Sequence, residues 1–81
     1  MAAGWVLYKK GLFDMAITQL TECINKDPKN AVCEYHLGLA YTKNGQRARA
    51  VEHLEKALKI SPDFAGADDA RRVIGTLGTK K

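Results

Sequence analysis

The sequence predicts an all-α fold in which antiparallel helical hairpins stack into a short solenoid of about five helices. One observation is an internal repeat: moved by 34 residues, the chain meets itself at seven identical positions. The matched pairs are Gly4/Gly38, Lys9/Lys43, Gly11/Gly45, Ala16/Ala50, Leu20/Leu54, Pro28/Pro62 and Ala31/Ala65. A second observation is that apolar residues recur every three or four positions within each unit, which is the period of an amphipathic helix. Each unit is therefore predicted to be one helical hairpin, and its two apolar sides require neighbours that cover them.

The first unit is predicted to hold helices near residues 2–10 and 12–26. Gly11 marks the turn between them, because glycine adopts the left-handed conformation at a helix C-terminus without steric cost. Pro28 ends the second helix, since a proline disfavours helical geometry in the residue before it. Asn30 then follows as a side-chain cap for the next helix.

The second unit repeats this plan, with helices predicted near residues 30–44 and 47–60. Gly45 takes the place of the first turn glycine, and Pro62 again ends the second helix. Small residues such as Gly38 fall where the two helices of a hairpin cross, and they let the two backbones approach closely.

A last helix is predicted near residues 64–77. Its charged side chains, Asp68 and Arg72 among them, form a polar face, while apolar residues such as Val73 can pack on the preceding unit. The terminal unit of a repeat protein needs such a polar outer face, so this element is predicted to be a capping helix. Residues 79–81 are expected to form a disordered tail.

The charge pattern favours solvated helix faces over a nucleic-acid surface. The net charge is only +4. Acids and bases pair at helical spacing, as Glu52 does with Lys56 and Glu55 with Lys59. A helical-repeat RNA binder is the less favoured alternative. No apolar run approaches the ~20 residues of a membrane span, so direct membrane insertion is not expected.

The sequence offers little for catalysis. It lacks a glycine-rich phosphate loop, a nucleophile elbow and a paired-histidine metal motif. His36 and His53 fall on different predicted helices, and His53 is interpreted as a solvated residue of an outer helix. We expect no enzymatic activity, no catalytic residues, no cofactor and no metal site.

Two cysteines, Cys23 and Cys33, are too few for a structural zinc site, which takes four ligands at short spacings. Each falls where a helix buries a small residue, which favours two reduced, packed side chains. They also flank a single turn, so a disulfide between them is the alternative.

The residues of the two units resemble the tetratricopeptide repeat. Those that carry the resemblance are Leu37, Gly38, Tyr41, Gly45, Ala50, Leu54, Ala57 and Pro62 in the second unit and Gly4, Leu7, Gly11, Phe13, Ala16, Leu20 and Pro28 in the first. Three positions depart from the family pattern. Glu34 replaces its tryptophan, Arg47 replaces the large residue after the turn, and Cys23 replaces an alanine.

The resemblance implies a right-handed stack that forms one domain over residues 1–78. Repeat one, truncated at its start, would span residues 1–30, repeat two 31–64 and the capping helix 65–77. By the register of the family the first helix would begin before Met1. The chain is therefore expected to be the C-terminal piece of a larger repeat protein.

The resemblance also implies a function: a scaffold or adaptor that binds a protein or peptide in the concave groove formed by the first helices of the units. Carried over by register, the candidate groove residues are Trp5, Tyr8, Lys9, Val32, Tyr35, His36, Leu39, Thr42, Lys43, Asp69 and Val73. Lys9 and Lys43 lie one repeat apart and favour an acidic ligand.

Two alternatives concern the aromatic residues. Trp5 and Tyr8 are either groove residues or core residues that an upstream helix would cover, whereas Tyr41 matches a packing position and Tyr35 is favoured for the groove. The alternative function is self-association, or packing within a longer chain, through the uncovered N-terminal end around Trp5.

Overall fold

The computed structural model describes residues 2–78, with their side chains from Gly4 onward. Within that part of the chain all regular structure is helical. The helices are α1 (Ala2–Lys9), α2 (Phe13–Lys26), α3 (Ala31–Lys43), α4 (Arg47–Ile60) and α5 (Ala67–Gly78). The predicted all-α fold of stacked hairpins with five helices is confirmed. The expected disordered tail at 79–81 lies outside the described residues, and the division into two repeats and a cap stays a prediction.

The turns inside the two hairpins have the same geometry. Gly11 and Gly45 adopt φ angles of 83° and 79°, the left-handed region that the sequence predicts for both. The N–H of Leu12 donates to the carbonyl of Leu7 at 3.0 Å, and the corresponding bond after Gly45 measures 2.9 Å. This bond pattern satisfies the carbonyls that a helix leaves unpaired at its C-terminus. One turn is therefore used twice, 34 residues apart.

The helices of each hairpin cross at a glycine. A Cβ atom added to Gly4 would lie 2.7 Å from the Cγ of Leu20, and one added to Gly38 would lie 2.6 Å from the Cγ of Leu54. Neither distance is possible for real atoms, so the close approach of the backbones requires glycine at both places. The buried core continues from these crossings through Ala16, Leu20, Leu37, Ala40, Tyr41 and Ala50.

The connections between hairpins differ from each other. Asn30 caps α3 as predicted, because its side-chain oxygen accepts the N–H of Cys33 at 3.0 Å. The predicted start of the last helix at residue 64 is wrong, since α5 begins at Ala67. The preceding residues form turns, and Gly66 lies so close to the ring of Tyr35 that a Cβ there would come within 2.5 Å of it. Glycine is a poor helix former, so the helix begins after it.

Cys23 and Cys33 form a disulfide. It joins the last turn of α2 to the first turn of α3 across a Cα–Cα distance of 6.4 Å. The interpretation of two reduced cysteines is therefore wrong, and the alternative of a bond across the turn is the one realised. The turn reverses the chain between two antiparallel helix ends, and this brings residues ten positions apart within bonding range.

A second link that the sequence did not predict connects α3 to α4. Glu34, with only 3% of its surface exposed, stands where the family pattern has tryptophan. Its carboxylate contacts the Nδ1 atom of His53 at 2.7 Å, and the His53 ring stacks on Tyr41 with centroids 5.4 Å apart. The interpretation of His53 as a solvated residue is therefore wrong. A buried carboxylate needs a hydrogen-bond partner, and His53 supplies it.

Within residues 2–78, none of the helices combines the length and the apolarity that crossing a bilayer requires.

Candidate functional site

A groove opens between α3 and α5, with one side chain of α1 at its edge. It encloses about 310 Å³. Its walls are formed by Tyr8 of α1, by Leu39, Thr42 and Lys43 of α3, and by Asp69, Arg72, Val73, Thr76 and Leu77 of α5. We call this the α3–α5 groove.

Six of the residues that the sequence predicts for a binding surface line this groove. They are Tyr8, Leu39, Thr42, Lys43, Asp69 and Val73. Sequence reasoning missed Arg72, Thr76 and Leu77. A signal existed for two of these, since Thr76 and Leu77 lie 34 positions after Thr42 and Lys43. The register was not applied that far along α5, where the residues diverge from the earlier units.

The floor of the groove is apolar and belongs to the hydrophobic core. Leu39 is only 9% exposed, and Leu77 packs against the buried cluster from the other side. Val73 is partly buried beside them. A ligand in the groove would thus meet aliphatic carbon at the bottom, while the rim carries Thr42, Lys43 and Arg72.

The rim carries positive charge that no carboxylate in the described chain neutralises. Asp69 is the acidic residue of the lining, and it is occupied on two sides. The hydroxyl of Tyr35 donates to its Oδ2 atom at 2.6 Å, and the guanidinium of Arg72 pairs with its Oδ1 atom. These two hydrogen bonds hold the pKa of the Asp69 carboxyl below its usual value. Among the described residues, Lys43 has no acidic partner and is exposed.

Tyr35 does not line the groove; it fastens α5 to α3. Besides the bond to Asp69, its ring packs edge-on against Phe64 with centroids 5.4 Å apart and lies against Gly66. Burial, followed by the hydrogen bond to Asp69, raises the pKa of the Tyr35 hydroxyl well above its usual range. The hydroxyl therefore stays protonated and acts as a donor. Tyr35 shapes the groove by positioning its far wall.

The remaining predicted residues form a separate aromatic stack beside the groove. Trp5 lies flat between Tyr8 and His36, with centroid distances of 4.8 Å and 4.0 Å. The ammonium of Lys9 sits 5.9 Å from the centroid of the Trp5 ring. Val32 is partly buried in the first turn of α3, and the groove does not reach it.

His36 is held in an apolar setting by this stack. Its Nδ1 atom is buried and has no hydrogen-bond partner in the described part of the chain. Burial lowers the pKa of the imidazole below its usual value. Trp5 thus stabilises the joint between α1 and α3 by packing, and Tyr8 is shared between this stack and the groove.

Large apolar side chains are exposed on the outer side of the first hairpin. Val6, Leu12 and Met15 have 47%, 45% and 55% of their surfaces exposed. Trp5 is not among them, although the sequence placed self-association around it. Self-association through this end of the chain stays a prediction.

Comparison with known proteins now identifies the unit. Residues 31–64, which comprise α3, α4 and the turns after them, match the family profile described as tetratricopeptide repeat. The chain belongs to the tetratricopeptide-repeat family. Tetratricopeptide repeats generally mediate interactions between proteins.

The chain is also similar to parts of much longer proteins. It is 36% identical over 67 residues to cellulose synthase operon protein C of Escherichia coli K12, a match that covers 83% of this chain and 6% of that protein. It is 35% identical over 62 residues to the probable UDP-N-acetylglucosamine–peptide N-acetylglucosaminyltransferase SPINDLY of Solanum lycopersicum, covering 76% and 7%. It is 30% identical over 69 residues to superkiller complex protein 3 of Mus musculus, covering 76% and 4%. The tetratricopeptide-repeat chain described here thus spans a small fraction of each of these relatives.

Proposed function

We propose that the α3–α5 groove binds a segment of another protein and that the chain acts as a scaffold or adaptor within a longer protein. The observation that carries this proposal is the composition of the groove. Its lining comes from α1, α3 and α5, which occupy the first-helix places of three successive units. In the tetratricopeptide-repeat family such helices form the interaction surface, as the sequence analysis expects for this chain. The lengths of the relatives support the adaptor role, since their matched parts are 4% to 8% of the whole.

The chemistry of the groove favours an acidic segment that carries an aliphatic side chain. The floor of Leu39, Val73 and Leu77 offers apolar contact to a side chain of moderate size. The Lys43 ammonium at the rim lacks an acidic partner among the described residues, and Asp69 is already neutralised by its own contacts. An acidic residue flanking the aliphatic one would pair with Lys43. Charge complementarity of this kind raises the association rate and selects among partners.

The proposal can be tested with random peptides displayed on phage and selected on the purified chain. We expect the selected peptides to share acidic and aliphatic residues. The decisive comparison is between two charge reversals of equal size, Lys43→Glu at the groove and Lys56→Glu on α4. Lys43→Glu should weaken binding of the selected peptides about tenfold in fluorescence anisotropy, whereas Lys56→Glu should leave it unchanged.

Equal losses for the two variants would overturn the groove as the binding surface. Amide-shift mapping gives an independent measurement. On addition of a selected peptide, shifts at Thr42, Lys43 and Val73 with none along the outer face of α4 support the proposal. Shifts concentrated around Leu12 and Met15 would instead place the interaction on the exposed apolar side of the first hairpin.

A further inference from the structure

The disulfide at the joint between the hairpins is chemically asymmetric. Cys33 is fully buried, with 0% of its surface exposed. Cys23 is partly exposed and lines a shallow surface cavity. The other side chains around that cavity are Gln19, Glu22, Lys26, Asp27 and Asn30, and Cys33 is not among them. A dissolved thiol can therefore reach the sulfur of Cys23 while that of Cys33 is covered by protein.

The two sulfurs also differ as leaving groups. Cys33 lies in the first turn of α3, a helix of 13 residues, three positions after the cap Asn30. The N-terminus of a helix carries partial positive charge from its aligned peptide dipoles, and it stabilises a thiolate there. Cys23 lies in the last turn of α2, where the dipole has the opposite sign. A thiol with a lower pKa leaves faster in thiol–disulfide exchange, so the bond is polarised to break with the electron pair on Cys33.

The Asn30 side chain holds this arrangement in place. Its Oδ1 atom accepts the N–H of Cys33, and its Nδ2 group contacts the Sγ atom of Cys23 at 3.8 Å. One amide side chain thus touches both halves of the disulfide. It fixes Cys33 at the helix start and keeps Cys23 at the wall of the cavity.

We propose that Cys23 is a thiolation site, at which a small monothiol opens the Cys23–Cys33 bond and remains attached as a mixed disulfide. The attacking thiolate forms a bond to the Sγ atom of Cys23. The bond to Cys33 breaks, its electron pair leaves with the Cys33 sulfur, and that thiolate takes a proton from water. A second monothiol can then displace the first from Cys23. The products are two protein thiols and one small-molecule disulfide, so atoms and electrons balance without another oxidant or reductant.

The proposal is tested on the folded wild-type chain with reduced glutathione. The reaction is quenched with N-ethylmaleimide, and the peptides are analysed by mass spectrometry. We expect glutathione on Cys23 and maleimide on Cys33, with the opposite arrangement at least about tenfold rarer. In denaturing urea both sulfurs are open and α3 is lost, so the preference should largely disappear. Equal labelling of the two cysteines in the folded chain would overturn the proposal, and so would a bond that glutathione opens only in urea.

A charge variant shows whether the attack passes through the cavity beside Cys23. Glu22 lines that cavity and repels anionic glutathione. Glu22→Gln should therefore speed reduction by glutathione while leaving reduction by the neutral thiol 2-mercaptoethanol unchanged. The matched control is Glu55→Gln on α4, which makes the same change in net charge far from the disulfide. Equal acceleration by the two variants would show that the cavity is not the route.

Discussion

The two hairpins share their turns and their helix crossings but differ in how completely they are buried. α3 buries residues on every side, because α2 packs against it from one direction and α4 from another. α2 buries only Ala16 and Leu20, and the first hairpin leaves Val6, Leu12 and Met15 exposed. The sequence of a unit therefore sets its internal geometry, while its neighbours determine its burial. The middle of a stack is stabilised from two sides and its end from one.

The largest expected effect tests whether the two crossings are equivalent despite this difference. Leu20 and Leu54 are both fully buried, and each fills the space that the glycine of its hairpin leaves open. Leu20→Ala and Leu54→Ala should each lower the free energy of unfolding by about 2–4 kcal/mol, because each leaves a cavity in the core. Urea denaturation of the two variants measures this. A much smaller loss for Leu20→Ala would show that the end hairpin is packed more loosely than its buried surface indicates.

A smaller effect distinguishes the hairpins at one register position. His53 pairs with the buried carboxylate of Glu34, whereas Gln19, located 34 positions earlier, is exposed on α2. His53→Ala should cost about 1–3 kcal/mol, since it leaves a buried acceptor without its donor. Gln19→Ala, the matched control, should stay within about 0.5 kcal/mol. Thermal unfolding of both variants decides the matter, and a neutral His53→Ala would mean that water replaces the lost partner.

The smallest expected effect concerns pH. Burial lowers the pKa of His36 below its ordinary value of 6.5, so between these two values the unfolded chain binds more protons than the folded one. Stability should therefore fall as the pH is lowered through that window and be fully present above it. The first unit has an alanine, Ala2, at the matching position and contributes nothing of this kind.

The measurement compares wild type with His36→Gln, using urea midpoints at about pH 8 and about pH 5. The wild type should lose more stability on acidification than the variant does. Because other titrating groups are common to both proteins, the difference isolates His36. Equal losses would show that the imidazole accepts a proton in the folded state without cost, for instance by turning out of its stack on Trp5.

Much of the fold could be predicted from the sequence because its signals are local. Gly11 and Gly45 predicted two turns that the structure shows with matching hydrogen bonds, and Asn30 predicted the cap of α3. The start of α5 was misplaced because the close contact between Gly66 and the ring of Tyr35 is tertiary. Periodicity along one helix carries no information about which side chain of a distant helix will approach it.

The candidate site was predicted in part for the same reason. The register correctly assigned Leu39 and Lys43 to one surface, since residues of one helix face stay together. It could not show that Tyr35 turns away to bond Asp69, or that Glu34 and His53 meet. The disulfide was left as an alternative because spacing permits a bond without requiring it. Pairings between helices depend on the final packing, and no single helix encodes them.

The bond between Tyr35 and Asp69 joins the same register position of two successive units, since the residues lie 34 apart. A duplicate of residues 31–64 inserted after Phe64 would place a second tyrosine where Asp69 stands and a valine where Gly66 stands. The hydroxyl would lose its acceptor, and the valine side chain would collide with the ring. The units therefore cannot be exchanged freely, although their backbones superpose. Each one selects its successor through a few side chains, so the order of the units along the chain is itself specified.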